Sequence, residues 1–271
     1  MSLQSTSKGE EPIIPLQDAG QRIEWADRDG EAFSDLSKWF NDTGAYAVLV
    51  QRNGDRWQAT WHRHIDADLE AEKFTELARL LGSFLDHTRA ALNYATYQMA
   101  LQALRVDPSL KGKLIPDRVE FPIFKNPRLF GKQNKVKELP EKYRLAIESV
   151  QPYDGRYPGL WWLHELAREY RHRVLHPTAL IPEQSRHRLL VDGITVEPSD
   201  LEVIPHERLE HGDMVMRFTL ADVPEDAKVH PQIATKVGID HPLTRSLIGT
   251  RVLNEIATDS DTALMAIYNA F

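Results

Sequence analysis

The chain has 271 residues, of which 42% are hydrophobic and 27% are charged, and its formal net charge at pH 7 is −7. This length and composition indicate a folded globular protein with a substantial core and exclude a largely disordered chain. The acidic balance argues against a protein whose whole surface binds nucleic acid or an anionic membrane, and the lack of cysteine excludes disulfides and thiolate metal sites.

The N-terminal segment, residues 1–30, is polar and shows no hydrophobic periodicity, so the sequence predicts a mobile leader there. Its first residues lack the apolar stretch that a secretion signal needs. No part of the chain approaches the ~20 consecutive apolar residues of a membrane span. We therefore expect a cytoplasmic protein with no membrane partner.

The next segment carries the signal of a β-hairpin. Two alternating runs, 46–52 and 55–61, flank the dipeptide Asn53-Gly54, which is typical of a type I′ turn. With that turn, Arg52 lies opposite Asp55. The apolar pairs on one face are then Val50 opposite Trp57, Val48 opposite Ala59 and Tyr46 opposite Trp61.

Hydrophobic residues at three- and four-residue steps predict a long helix over 68–104 and a second important helix over 160–175. Shorter helices are predicted over 140–150, 242–256 and 260–270, and strands over 186–191, 194–197, 214–220 and 233–239. The predicted fold class is α+β, in which the N-terminal hairpin and the C-terminal strands form one antiparallel sheet packed beside a helical hairpin or bundle.

Strands on both sides of a helical middle indicate the domain organisation. The simplest arrangement is a single α+β domain over residues 31–271, with a helical insert at about 68–180. The alternative is a helical domain over 31–181 followed by a β-rich domain over 182–271.

Both long helices carry polar residues at helical spacing, opposite their apolar stripes. The first helix has Asp86, Arg89, Asn93 and Tyr97. The second has Glu165, Glu169, His172 and His176, flanked by Arg168 and Arg171. These faces are either solvated surfaces with ion pairs or two halves of one polar site. The first interpretation is favoured, and the second stays open because asparagine, tyrosine and histidine are less typical of a solvated face than lysine and glutamate.

The segment between the helices, residues 105–137, carries nine Lys or Arg against three acids, a local charge of +6. Phe121, Phe124 and Phe130 are interleaved with these charges. Basic segments with aromatics are typical of surfaces that follow a phosphate backbone and stack bases, and the candidate binding residues here are Lys125, Arg128 and Lys132. The other interpretation, which the sequence favours, is a solvated loop whose phenylalanines anchor it to the core.

The segment 171–176, Arg-His-Arg-Val-Leu-His, resembles the Arg-(Asn/Asp/His)-x-x-x-His motif of HEPN-domain proteins, a family of small helical ribonucleases. The resemblance implies that His176 handles a proton of the RNA 2′-hydroxyl and that Arg171 stabilises charge on the phosphate. His172 occupies the variable polar position, and Asn93 is the polar residue from the earlier helix. The resemblance also implies RNA as the partner and a homodimer that pairs two such sites.

The chain is also similar to a family of uncharacterised bacterial proteins. The similarity rests on the helical segment 84–94, on Phe121-Pro-Ile-Phe124 and on Gln151-Pro-Tyr153. It implies a shared fold over most of the chain and no known activity.

A third hypothesis is a metal site built from His62 and His64 together with the carboxylates and imidazoles of the second long helix. The glycine-rich phosphate loops and the G-x-S-x-G turn are absent, which argues against nucleotide-binding folds and serine hydrolases. The sequence therefore favours a non-catalytic interaction or accessory protein with no cofactor. A HEPN-like RNA-binding or RNA-cleaving protein is the first alternative, and a His/Glu metal-binding protein is the second.

Overall fold

The computed structural model describes residues 16–133, 135–173, 175–180, 188–204, 206, 209–220, 223–224, 227–232, 236–244 and 249–271. Its helices are α1 (Gln17–Asp42), α2 (Ala67–Val106), α3 (Pro127–Gln133), α4 (Glu141–Ser149), α5 (Pro158–Tyr170) and α6 (Gly249–Tyr268). Its strands are β1 (Tyr46–Asn53), β2 (Arg56–Arg63), β3 (Pro177–Leu180), β4 (Arg188–Val191), β5 (Ile194–Val196), β6 (Ser199–Val203), β7 (Met214–Thr219), β8 (Val229–Gln232) and β9 (Lys236–Ile239). The predicted α+β class is confirmed.

Helix α2 forms the centre of the helical part, and local chemistry sets both of its ends. The side chain of Asp66 accepts hydrogen bonds from the backbone N–H groups of Asp68 and Leu69, which caps the first turn. Pro108 follows the last turn and cannot continue the helix. These signals are local in sequence, and the observed bounds lie within two residues of the prediction.

Helix α1 corrects the prediction of a mobile leader over residues 1–30. Residues 17–30 form the first half of this 26-residue helix, and residues 1–15 lie outside the described part of the chain. The helix buries Ala19, Ala26, Phe33 and Phe40, which repeat every seven residues. Two of these four residues are alanines, which carry little hydrophobic signal, so the stripe was missed in the sequence.

Helix α6 is one continuous helix where two short helices were predicted. It packs against α5 at Gly159, where an added Cβ atom would lie 2.1 Å from the backbone oxygen of Glu255. The carboxylate of Asp259 accepts the N–H of Gly159 at 2.7 Å and thereby caps the start of α5. The position of α5 is therefore fixed by α6.

The hairpin of β1 and β2 forms, but its turn lies one residue later than predicted. Gly54 and Asp55 are the turn residues, so Asn53 pairs with Arg56 and Val50 pairs with Ala59. Only Gly54 of the two turn residues has a positive φ, +62°, whereas a type I′ turn needs positive φ at both. Glycine takes the first turn position because it adopts this conformation without strain.

The predicted antiparallel sheet of the hairpin with C-terminal strands is confirmed, but it does not include every strand. The hairpin joins C-terminal strands in a four-stranded sheet of order β1-β2-β7-β6. Strands β3 and β9 form a separate pair, and β5-β4-β8 form a three-stranded sheet. Two of the described helices, α1 and α6, lie outside the predicted insert at 68–180, and both pack on α2.

Two clusters of buried apolar side chains organise this arrangement. The larger lies among the helices, and the smaller lies between the four-stranded and three-stranded sheets, with Tyr46 packed against both. Strand β2 pairs with β7, and α6 packs on α5 and α2. These contacts connect segments before residue 182 with segments after it, where the two-domain alternative places its boundary. None of the described helices combines the length and apolar character needed to cross a bilayer.

Candidate anion-binding site

Arg89 and Asn93, one turn apart on α2, hold the loop segment that begins at Phe121. Nη2 of Arg89 donates to the backbone oxygen of Phe121 at 2.7 Å, and Oδ1 of Asn93 accepts the backbone N–H of Phe121 at 3.0 Å. The side chain of Phe121 is completely buried. The interpretation of this face of α2 as solvated is therefore wrong at Arg89 and Asn93, because the loop covers them.

Gln151 holds the same segment from the opposite side. Its Nε2 donates to the backbone oxygen of Pro122 at 2.9 Å, and its Oε1 accepts the N–H of Phe124 at 2.9 Å. Gln151 is fully buried. Residues 121–124 are thus clamped between α2 and the end of α4, and the three segments that carry the similarity to uncharacterised bacterial proteins meet at this point.

One face of α5 carries Trp161, His164, Arg168 and Arg171, at steps of three, four and three residues. Arg171 is the C-cap residue directly after the helix, and its Nε donates to the backbone oxygen of Ala167 at 3.3 Å. The spacing of these four residues was visible in the sequence, although only Arg171 was predicted as a site residue.

Helix α5 ends at Tyr170, five residues earlier than predicted. His172 lies in the turn that follows, and His176 lies in the extended segment before β3, where its backbone oxygen accepts the N–H of Asp240 at 2.9 Å. A residue that precedes proline is disfavoured in the helical region, and Pro177 opens β3. The motif from Arg171 to His176 therefore spans a helix end and a coil.

The faces of α2 and α5 meet around Arg89. Burial, followed by the nearby charge of Arg171, lowers the pKa of Arg89 to about 10. The pKa of His164 is lowered by burial first and by the charge of Arg89 second. The ring of Trp161 stacks on that of His164 with 5.4 Å between centroids, and Nζ of Lys125 lies 4.5 Å from the centroid of the Trp161 ring.

We call this cluster the cationic site and define it as Arg89, Lys125, Trp161, His164, Arg168 and Arg171. Arg168 is neutralised by an ion pair with Glu165 at 2.5 Å. Within the described part of the chain, Arg89, Lys125 and Arg171 have no carboxylate within ion-pair distance. The site therefore holds three uncompensated positive charges and a histidine whose lowered pKa favours the neutral imidazole.

Two hydrogen-bond donors of the cationic site are buried without an acceptor. They are Nη1 of Arg89 and Nε1 of Trp161, and neither has a partner among the described residues. Buried polar atoms in native proteins are almost always paired with protein, water or an ion, because an unpaired buried donor costs about 1–3 kcal/mol. Acceptor atoms of an anionic ligand would satisfy such donors.

The predicted site residues divide into two groups. The structure brings together Arg89, Asn93, Lys125 and Arg171 around the segment 121–125. The side chains of the others make no hydrogen bond, ion pair or ring contact with the cationic site among the described residues; these are Asp86, Tyr97, Arg128, Lys132, His172 and His176. Tyr97 is half-buried on α2, and the other five are exposed.

The hypothetical metal ligands lie apart. The ring of His62 packs edge-on against His211 at 4.9 Å, whereas Glu169 forms an ion pair with Arg173 at 2.6 Å and lies 3.5 Å from Nε2 of His241. Within the described ranges, no three His, Asp or Glu side chains are close enough to hold a metal ion. The geometry gives the metal hypothesis no support.

Comparisons of the chain with family models, with curated proteins and with solved structures found no match. The similarity to HEPN-domain proteins and to uncharacterised bacterial proteins stays a prediction.

Proposed function

We propose that this protein is a non-catalytic RNA-binding protein that holds phosphate groups of RNA at the cationic site. One observation carries the proposal: residues 121–125 of the basic segment contact the polar faces of both α2 and α5. The segment supplies Phe121 to Arg89 and Asn93, and it supplies Lys125 to Trp161.

The charge and shape of the cationic site suit phosphate. Arginine presents a planar fork of donors that matches phosphate oxygens, and lysine adds a point charge. The local excess of positive charge stands against a chain with a net charge of −7. The acidic balance of the rest of the chain would disfavour a polyanion elsewhere, because like charges repel it.

A second feature of the same segment favours a polymer over a single phosphate. A cleft of about 640 Å³ is lined by four cations, Lys113, Arg118, Lys135 and Lys137, and by the acids Asp117, Glu120 and Glu138. Lys135 pairs with Glu120 and Lys137 with Glu138, which leaves Lys113 and Arg118 for a phosphate. Glu120, also in its wall, precedes Phe121 and lies near enough to Arg89 to act on its pKa. Consecutive phosphates could therefore contact the cleft and the cationic site together.

The choice of RNA rests on the resemblance of the segment 171–176 to the HEPN motif. The absence of cleavage is proposed because Oδ1 of Asn93 is already bonded to Phe121 and because His176 lies beyond the end of α5. This role agrees with the accessory function and the cytoplasmic location that the sequence predicts.

The test is the binding of a fluorescent single-stranded RNA of about 20 nucleotides, followed by anisotropy over a range of salt concentrations. The Arg171→Gln variant should bind about tenfold or more weakly and with a shallower salt dependence, because a charged hydrogen bond to phosphate is lost. Arg56→Gln, which removes the same charge from an exposed position of the hairpin, is the matched control and should bind like the wild type.

Three results would contradict the proposal. If the wild type binds no RNA at low salt, or if Arg56→Gln loses as much affinity as Arg171→Gln, the cationic site is not an RNA site. If the RNA is cleaved and His176→Ala stops the cleavage, the protein is a HEPN-like ribonuclease and the non-catalytic assignment is wrong.

A further inference from the structure

The cationic site has an outer and an inner layer of donors. Lys125, Arg168 and Arg171 are exposed and form the outer layer. Nη1 of Arg89 and Nε1 of Trp161 are buried, have no partner among the described residues and form the inner layer. A ligand that completes the inner layer must extend an acceptor group past the outer cations.

An internal phosphodiester of RNA cannot easily do this. Its phosphorus carries two free oxygens, and the chain continues from it on both sides, so the group stays at the level of the backbone. A terminal phosphomonoester projects from the chain end on a single ester bond, with three acceptor oxygens and a charge of about −1.5 to −2 at pH 7. The terminal group therefore offers one more acceptor oxygen than an internal phosphate and is held by the chain on one side only.

The charge of the site leads to the same ligand. The three uncompensated cations, Arg89, Lys125 and Arg171, exceed what one singly charged phosphodiester neutralises. A phosphomonoester near its doubly charged form balances them more closely. Trp161 Nε1 is a neutral donor that adds a hydrogen bond without adding charge.

We propose that the inner layer of the cationic site, Arg89 Nη1 and Trp161 Nε1, binds the terminal phosphomonoester of an RNA strand. This inference rests on the RNA-binding function proposed above and names the part of the RNA that the site selects. The protein would distinguish phosphorylated from hydroxyl strand ends, and internal phosphates would contact only the outer cations.

The experiment compares RNAs of one sequence that carry a 5′-phosphate, a 3′-phosphate or hydroxyls at both ends. One of the phosphorylated RNAs should bind about tenfold or more tightly than the hydroxyl RNA, as expected for one or two charge-assisted hydrogen bonds, and the two arms identify the strand end. Inorganic phosphate should displace the preferred RNA at lower concentration than it displaces the hydroxyl RNA.

Trp161→Phe tests the inner layer directly, since it keeps an aromatic ring beneath Lys125 and removes only the Nε1–H donor. It should reduce the preference for the phosphorylated end over the hydroxyl end several-fold. Trp162→Phe, the same substitution at the neighbouring half-buried residue of α5, is the matched control and should keep the full preference.

The outcomes separate this inference from the function on which it rests. Equal affinity for all three RNAs would overturn the selection of a terminal phosphate and leave RNA binding intact. A preference that Trp161→Phe does not reduce would overturn the assignment to the inner layer. Failure to bind any of the RNAs would overturn the proposed function itself.

Discussion

The substitution Asn93→Ala separates a structural role of Asn93 from a catalytic one. In the folded protein, Oδ1 of Asn93 accepts the N–H of Phe121 at 3.0 Å, and the side chain of Phe121 is 0% exposed. Alanine leaves this N–H without an acceptor in a place that excludes water. An unpaired buried donor costs about 1–3 kcal/mol of unfolding free energy.

That cost converts into a measurable temperature. In a protein of this size, each kcal/mol lowers the unfolding midpoint by roughly 2–4 °C, so Asn93→Ala should lower it by roughly 2–12 °C. Thermal unfolding followed by circular dichroism measures the shift. Asn93→Asp, which retains an oxygen acceptor at the same position, is the control and should unfold near the temperature of the wild type.

The opposite pattern would refute the structural role. If Asn93→Ala unfolds at the wild-type temperature but abolishes cleavage of an RNA substrate, the bond to Phe121 contributes little. The catalytic role that the HEPN resemblance implies for Asn93 would then be correct.

Three further predictions test the packing and the electrostatics. Gly159→Ala should lower the unfolding free energy by about 1–3 kcal/mol, because its Cβ would overlap the backbone of α6. Gly20→Ala, in open space on α1, should raise it by about 0.5–1 kcal/mol. Urea denaturation measures both changes, and a gain in stability in both variants would exclude the close approach of α5 and α6. Burial, followed by the nearby charge of Asp27, raises the pKa of Asp261 above 3.8, so ionisation of Asp261 costs stability at neutral pH and this cost disappears as the pH falls below 3.8. Asp261→Asn should therefore stabilise the protein at pH 7 by less than about 1 kcal/mol, because solvent screens this partly exposed group. Urea denaturation should show that the gain in stability shrinks toward pH 4. An equal gain at both pH values would contradict a raised pKa of Asp261. The pKa of His164, measured by NMR titration, should lie below its ordinary value. It should rise when inorganic phosphate is added, because an anion offsets the neighbouring cations. An unchanged pKa would mean that phosphate does not bind beside His164.

Local patterns were sufficient to predict most of the secondary structure. Helix α2 was predicted within two residues at each end, because its apolar stripe is continuous and a proline ends it. The strands around Asp192-Gly193 and the strand at 214–219 were also predicted, since alternation and turn residues are local signals. Helix α1 was missed because alanines at two of its buried positions carry little hydrophobic signal.

The candidate site was only partly predictable. Helical spacing identified Arg89, Asn93 and Arg171 as polar residues on two helix faces, and the charge count identified the basic loop. No local pattern indicated that Phe121 of this loop would bond to α2, or that Trp161 and His164 would join the cluster. The loop buries Arg89 instead of leaving it in an open cleft.

By itself, the amino-acid sequence determined the class of the fold, the long helices and the residue types available for a site. These properties depend on periodicity and turn chemistry within a few residues of each position. The tertiary structure alone decided which polar residues are buried, which cations have no carboxylate within ion-pair distance and which hydrogen-bond donors have no acceptor. Those outcomes depend on contacts between segments 30 to 80 residues apart, such as Arg89 with Phe121 and with Arg171, and no local pattern encodes them.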